Sequence, residues 1–154
     1  MKESDREEEL PPVDPVLPPG ADNRITVDGA ARLRAEMEGL RDERAGLKGA
    51  TSAEELLRLR AIDRRLAWFA RRSPTWVETA TPPGAVRFGA RVTYEDEGGK
   101  RTTVRIVGVD EVDAPGTVSW LSPIARALLG AGVGDVVRLV RPGGDEDVEL
   151  IAIG

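Results

Sequence analysis

The sequence has no cysteine and no histidine. The first absence excludes disulfides and thiol chemistry. The second removes histidine general bases, histidine-containing triads and the usual zinc sites. Aromatic residues are scarce, at 4%, so a core must be built mainly from Val, Leu, Ile and Ala. No run of about 18 apolar residues occurs, which excludes a helical membrane span. No long basic block occurs either, which speaks against tight autonomous binding of nucleic acid. The opening Met1-Lys2-Glu3-Ser4-Asp5 is acidic where a signal peptide would be basic and then apolar. These features point to a cytoplasmic protein.

What remains is a chain of 154 residues, 40% apolar and 32% charged, enough for one ordinary domain or two small ones. Its net charge of −5 is unevenly spread. Residues 1–23 hold two basic and seven acidic side chains, residues 24–72 hold twelve and eight, and residues 73–154 hold eight and twelve. Only the middle segment is basic, and nearly all its cations are arginine.

Residues 1–23 are acidic and rich in proline (Pro11, Pro12, Pro15, Pro18, Pro19) and predict a disordered tail. It reads either as a solvating tail or as an arm that masks the basic segment. Residues 24–73 predict a helical hairpin. Thr26 is a good N-cap with Asp28 in the first turn. Leu33, Met37, Leu40 and Leu47 follow as a heptad-type seam, with Arg44 in one slot. Ser52-Ala53-Glu54-Glu55 is a capping box that opens a second helix. Its apolar positions are Leu56, Leu59, Ile62, Leu66 and Phe69. The short Gly49-Ala50-Thr51 connection forces the two helices antiparallel. Trp68, Phe69 and Trp76 are expected to anchor the base. Residues 74–84, with Pro74, Pro82, Pro83 and Gly84, predict a linker.

Residues 85–154 predict a small antiparallel α+β domain. The expected strands are Val86–Glu95, Arg101–Val109, Thr117–Leu121, Val136–Val140 and Val148–Ile153. A short helix, Ile124–Leu129, is capped by Ser122 with Pro123 at its first position. Gly130-Ala131-Gly132-Val133-Gly134 reads as a helix-to-strand turn, since it lacks the Lys-Ser/Thr of a phosphate loop. Asp145, Glu146, Asp147 and Glu149 lack calcium-loop spacing and read as a solvated turn. Glu95, Asp96 and Glu97 read the same way. Asp110, Glu111 and Asp113 taken alone are another acidic edge. Glu54 and Glu55 are explained by helix capping; the other reading is that a tip carboxylate helps to hold a metal in a partner's site.

Several stretches together resemble the GreA/GreB family. Thr26-Val27-Asp28-Gly29 through Leu33 is similar to the family's Thr-x-Glu-Gly-x-x-x-Leu. Leu59-Arg60-Ala61-Ile62-Asp63-Arg64-Arg65-Leu66 is close to a stretch of its second helix. Val86–Val92, Arg105-Ile106-Val107-Gly108-Val109-Asp110-Glu111, Ser122-Pro123-Ile124-Ala125-Arg126-Ala127-Leu128-Leu129-Gly130, Val133-Gly134-Asp135 and Pro142-Gly143-Gly144 follow in the family's order. The resemblance covers residues 25–154. It implies an N-terminal antiparallel coiled coil and a C-terminal FKBP-like domain over 85–154. It also implies a partner, RNA polymerase: the C-terminal domain on the rim of the secondary channel and the coiled coil inside it. The basic hairpin face (Arg58, Arg64, Arg65) reads either as a contact to acidic channel walls or RNA, or as an ordinary solvated helix face. No membrane and no cofactor of its own are implied. In cleavage-competent members, tip carboxylates help to position Mg2+ at the polymerase active site. The chemistry then belongs to the polymerase, so the factor is expected not to be an enzyme itself.

The contacts carried over to this chain are Ser122, Pro123 and Ile124 at a helix start, with Asp110 and Glu111 supplying charge beside them. The family's tip, roughly Gly-Asp-x-Ser-Glu-Asn-Ala-Glu-Tyr, is replaced by Leu47-Lys48-Gly49-Ala50-Thr51-Ser52-Ala53-Glu54-Glu55, without its acidic pair. The arms are also shorter, by about two turns or ~10 Å at helical rise. Two expectations stand: a cleavage factor using Glu54 or Glu55, or a cleavage-inactive, Rnk-like or channel-blocking relative. A third, different class is an FKBP-like prolyl isomerase, for which Phe88, Tyr94 and Trp120 are the few aromatics available.

Overall fold

The computed structural model describes residues 14–154. The part of the expected tail that covers residues 1–13 lies outside the described residues. Residues 14–22 contact the rest of the chain: Arg71 Nε donates to Asp14 Oδ2 at 3.3 Å. A short strand, β1 (Asn23–Thr26), then leads directly into helix α1 (Val27–Gly46). Thr26 caps α1, its hydroxyl accepting from the Gly29 amide at 3.0 Å. Helix α2 (Ala53–Arg72) is capped by Ser52, whose hydroxyl accepts from the Glu55 amide at 3.2 Å. Both helices are 20 residues long, or roughly 30 Å at helical rise.

Leu33, Ile62 and Phe69 are fully buried between the helices, with Met37 and Leu40 packed beside them. Toward the tip the seam thins, and Leu56 and Leu57 are exposed. Ion pairs between the helices run beside the seam, from the base toward the tip. Arg58 forks onto Glu43 at 2.5 and 2.7 Å, Arg44 meets Asp63 at 2.6 Å, and Arg65 forks onto Glu36 at 2.6 and 3.0 Å. The hairpin is therefore apolar at its base and polar at its tip. Burial stabilises it at one end only, because the sequence places arginine and glutamate in seam positions near the other.

The stretch expected to be a linker contains a strand. After α2, a 3-10 turn (Ser73–Thr75) holds Pro74 near its start, and the Thr75 hydroxyl donates to the Arg72 carbonyl at 2.7 Å. This turn reverses the chain. Strand β2 (Trp76–Thr79) can thus run beside β1 in parallel, pairing Asn23 with Trp76 and Thr26 with Thr79. The two-stranded ladder closes the hairpin's base, and Trp76 packs edge-on against Phe69 with ring centroids 6.4 Å apart.

The remaining strands are β3 (Arg91–Glu95), β4 (Arg101–Val107), β5 (Thr117–Ser119), β6 (Val136–Leu139) and β7 (Glu146–Ile153), with helix α3 (Pro123–Leu128) between β5 and β6. They form one sheet in the order β5-β4-β3-β7-β6. Three ladders are antiparallel, as expected for an α+β domain, but β5 joins β4 in parallel. The cause is the loop 108–116: it leaves the end of β4, reaches the hairpin base, and doubles back so that Thr117–Ser119 runs beside Arg105–Val107. Strand β3 begins at Arg91 rather than Val86, because residues 86–90 make a turn with Gly89 at φ +86°. A register shift between Thr93 and Tyr94 bends the sheet. Ala125 and Leu128 of α3 fill its inner face, against Val92, Tyr94, Ile106, Leu139, Val148 and Leu150.

Candidate functional site

The loop 108–116 carries the first two expected contact residues, Asp110 and Glu111. The structure buries both, at 8% and 2% exposure. Glu111 reaches across to the start of α1. Its Oε2 accepts from the backbone amides of Thr26 at 2.9 Å and Gly108 at 2.8 Å, and its Oε1 accepts from the Thr26 hydroxyl. A carboxylate there is favoured twice, by unpaired amides and by the positive end of the helix dipole. The approach requires two glycines. A Cβ on Gly29 would lie 1.7 Å from Glu111 Oε1, and one on Gly108 would lie 2.0 Å from the Arg24 carbonyl oxygen.

Asp110 takes the other side of the base. Its Oδ2 accepts from Asn23 Nδ2 at 3.0 Å, Trp76 Nε1 at 2.9 Å and Arg72 Nε at 3.0 Å. The two residues expected to supply charge beside a partner contact are thus also bonded within the chain. Their oxygens are committed to β1, α1, α2 and β2, and they fix the hairpin to the β domain. Asp113, two residues on, is exposed and pairs with Arg32 of α1 at 3.0 Å. A further bond across the junction joins Arg105 of β4 to Asp28 of α1, at 2.5 and 2.8 Å. Hydrogen bonding from Arg105 holds the Asp28 carboxyl down at about 2, and the same bond raises Arg105.

Ser122, Pro123 and Ile124 lie apart from that buried cluster in role. The Ser122 hydroxyl accepts from the Ala125 amide at 3.2 Å and caps α3. Ile124 is half-buried against the sheet core, while Pro123 is exposed. Just before them the Trp120 amide donates to the Val107 carbonyl at 2.9 Å, and the Arg24 guanidinium lies 5.5 Å from the centroid of the Trp120 ring. Pro123 thus stands close in sequence to an Arg24–Trp120 pair that ties β1 to the β domain. Arg24 had no expected role. No local pattern marks it, because its partner is 96 positions along the chain.

At the hairpin tip the two glutamates differ. The Ser52 hydroxyl donates to Glu55 Oε1 at 2.7 Å, so Glu55 bonds to the cap through the Ser52 side chain instead of through the Ser52 amide of a full capping box. Glu54 is exposed and has no bond among the described residues. At the tip, Glu55 has one oxygen bonded to the cap and Glu54 has neither oxygen bonded among the described residues. No group of three or more potential metal ligands occurs among the described residues. A hollow of about 510 Å³ beside the tip is lined by Leu47, Ala50 and Leu59, with Arg44 and Lys48 at its edge. Of the arginines on the basic hairpin face, Arg58 and Arg65 are tied to Glu43 and Glu36; only Arg64 lacks such a partner among the described residues.

A helical hairpin joined to a curled β domain through two buried carboxylates defines a protein that presents a hairpin tip away from a β platform. The family model described as "Transcription elongation factor, GreA/GreB, C-term" matches residues 81–154. Transcription elongation factor GreB of Pseudomonas aeruginosa is 36% identical over 141 residues, covering 79% of this chain and 84% of that one. GreB of Neisseria meningitidis serogroup B is 40% identical over 101 residues, covering 62% of each. The chain therefore belongs to the GreA/GreB family of transcription elongation factors, although its matched stretch spans only about three fifths of the Neisseria relative. Among solved structures, the chain is similar to GreA factor homolog 1 (Gfh1) of Thermus thermophilus at 25% identity, covering 87% of this chain and 99% of that one with a TM-score of 0.41.

These relatives correct one expectation. The chain was expected not to be an enzyme itself, with the chemistry left to RNA polymerase. The relatives of Thioalkalivibrio sulfidiphilus and Methylococcus capsulatus are named transcription elongation factor GreA, a name that does not carry the expected absence of enzymatic activity over to this chain. No helix among the described residues is long and apolar enough to cross a membrane.

Proposed function

We propose that this chain binds RNA polymerase in the cytoplasm, with the β domain on the rim of the secondary channel and the hairpin inside it. It regulates elongation there without stimulating cleavage of backtracked RNA. Family membership supports the partner, and exposed Pro123 beside the Ser122 cap supports the face. The observation that carries the cleavage-inactive reading is the bond from the Ser52 hydroxyl to Glu55 Oε1 at 2.7 Å. It engages one oxygen of Glu55, so the tip offers an ion Glu54 and a single Glu55 oxygen instead of two free carboxylates. A prolyl isomerase is disfavoured because Phe88 and Tyr94 are buried, at 6% and 3% exposure, instead of lining a pocket.

The second reading, a cleavage factor, rests on Glu54 being unbonded among the described residues. One experiment separates the two. The chain is added, with magnesium, to a backtracked elongation complex of its host polymerase, and labelled RNA is followed. Unshortened RNA that is also protected from added GreA or GreB is the expected result. Shortened RNA that is lost in Glu54→Ala would establish the cleavage factor instead.

A further inference from the structure

Between α2 and the loop 108–116 lies a groove of about 670 Å³ that neither the junction nor the tip accounts for. Its floor is largely apolar, from Ala61, Ala67, Trp68, Val109 and Val112, and Val112 is 45% exposed. Arg64, Arg65 and Arg71 stand along its α2 side, and Asp110 and Asp113 on its loop side, where they are held by Arg72 and Arg32. Arg60 and Arg64 have no ion pair among the described residues, unlike Arg58 and Arg65.

The described chain enters this groove at one end. Pro15 forms part of the wall, and Asp14 accepts from Arg71 at 3.3 Å. The sequence just before Asp14 is apolar, Leu10-Pro11-Pro12-Val13, and before that come Glu7, Glu8 and Glu9. Residues 2–13 hold five acidic and two basic side chains. The spacing also matches. In an extended chain Glu7–Glu9 lie about 15–25 Å before Asp14. Arg64 and Arg60 lie about 10 and 16 Å from Arg71 along the helix, toward the tip.

We propose that the groove is the docking site of this chain's own acidic arm, residues 2–13. The apolar residues Leu10–Val13 lie over Trp68 and Val112, and Glu7–Glu9 pair with Arg64 and Arg60. Apolar burial next to Asp14 sets the direction, and charge sets the register. The arm then covers the one face of α2 with unpaired arginines. On the polymerase reading above, the arm must leave before that face can meet a channel wall. The docking itself is independent of that reading, since it is tested on the free chain.

The absence of cysteine makes the test clean. A nitroxide is attached through Ser4→Cys, and paramagnetic broadening of backbone amides is mapped in the full chain. Docking predicts broadening concentrated on α2 between Leu57 and Arg71. It predicts loss of that broadening in Glu7→Lys/Glu8→Lys/Glu9→Lys, and its return when Arg60→Glu/Arg64→Glu is added. Broadening spread evenly over the surface, or indifferent to charge reversal, would overturn the proposal. So would broadening that appears only between a labelled chain and a second, isotope-labelled copy, since the occupant would then be another molecule's arm.

Discussion

The Glu111 carboxylate lies on the N-terminus of α1, taking the Thr26 amide at 2.9 Å across 85 residues of sequence. The bond is charge-assisted and buried, so its loss leaves the Thr26 and Gly108 amides without an acceptor. Glu111→Ala should cost about 2 kcal/mol of stability, the range for hydrogen bonds to charged groups. Denaturant unfolding followed by circular dichroism measures this. A loss below about 0.5 kcal/mol would mean that the junction does not hold the two parts together.

The glycines provide a paired test of the same geometry. Gly29→Ala drives a Cβ to 1.7 Å from an oxygen pinned by its own hydrogen bonds. Overpacking of this kind should destabilise by about 1–3 kcal/mol. Gly39→Ala, in the same helix with nothing within 4 Å, should stabilise by up to about 1 kcal/mol through helix propensity. Opposite signs from one substitution in one helix are the expected outcome. Equal signs would refute the account of Gly29.

Asp110→Ala strands the Arg72 guanidinium in a site where the two side chains are 12% and 2% exposed. Removing one partner of such a buried pair costs about 3–5 kcal/mol. The Trp76 indole also loses its acceptor. Thermal unfolding should therefore move down by several degrees, with tryptophan emission shifting to the red before global unfolding. Asp110→Arg should be worse still, and it cannot serve as a fold-neutral probe of partner binding.

The helical hairpin was legible in the sequence because its signals are local. Thr26 and Ser52 cap within three residues, and Leu33, Ile62 and Phe69 repeat at helical spacing. The order of the β-domain elements was legible for the same reason, through Gly99, the Ser122-Pro123 cap and alternating valines. What was not legible depends on residues far apart. Strand β2 exists because Trp76–Thr79 finds β1 some fifty residues away. Asp110 and Glu111 look like a solvated edge until Asn23, Thr26, Arg72 and Trp76 close over them. The glycines of Thr26-Val27-Asp28-Gly29 and Gly108 carried the missing clue: each leaves room for a neighbour that local sequence does not name.

Acid should loosen the junction at its exposed rim. Asp28 titrates at about 2 in the folded chain, chiefly because Arg105 donates to it. Its folded pKa is depressed, so its stabilising contribution is complete above the unfolded value near ~4 and is lost as pH falls toward about 2. The side chain is 67% exposed, which limits the pair to about 0.2–1 kcal/mol after solvent screening. A carboxyl-carbon NMR titration should show Asp28 low in the parent chain. In Arg105→Ala it should return toward the ordinary aspartate value. An unmoved titration would mean that Arg105 is not the cause.

Pro123 provides the cleanest probe of the proposed docking face. It is exposed, and it donates no hydrogen bond. Pro123→Asn should leave the unfolding midpoint nearly unchanged, since Ser122 still caps α3 through the Ala125 amide. Binding to RNA polymerase, measured by fluorescence anisotropy of the labelled chain, should weaken by about fivefold or more, the loss expected for an interface residue worth over ~1 kcal/mol. Glu111→Ala gives the contrast: it should lose stability and binding together, because a loosened junction no longer aims the hairpin. Normal binding by Pro123→Asn would move the polymerase contact off this face while leaving the buried role of Glu111 intact. Weakened binding with an unchanged midpoint would separate the residue that touches the partner from the residues that only hold the arm in place.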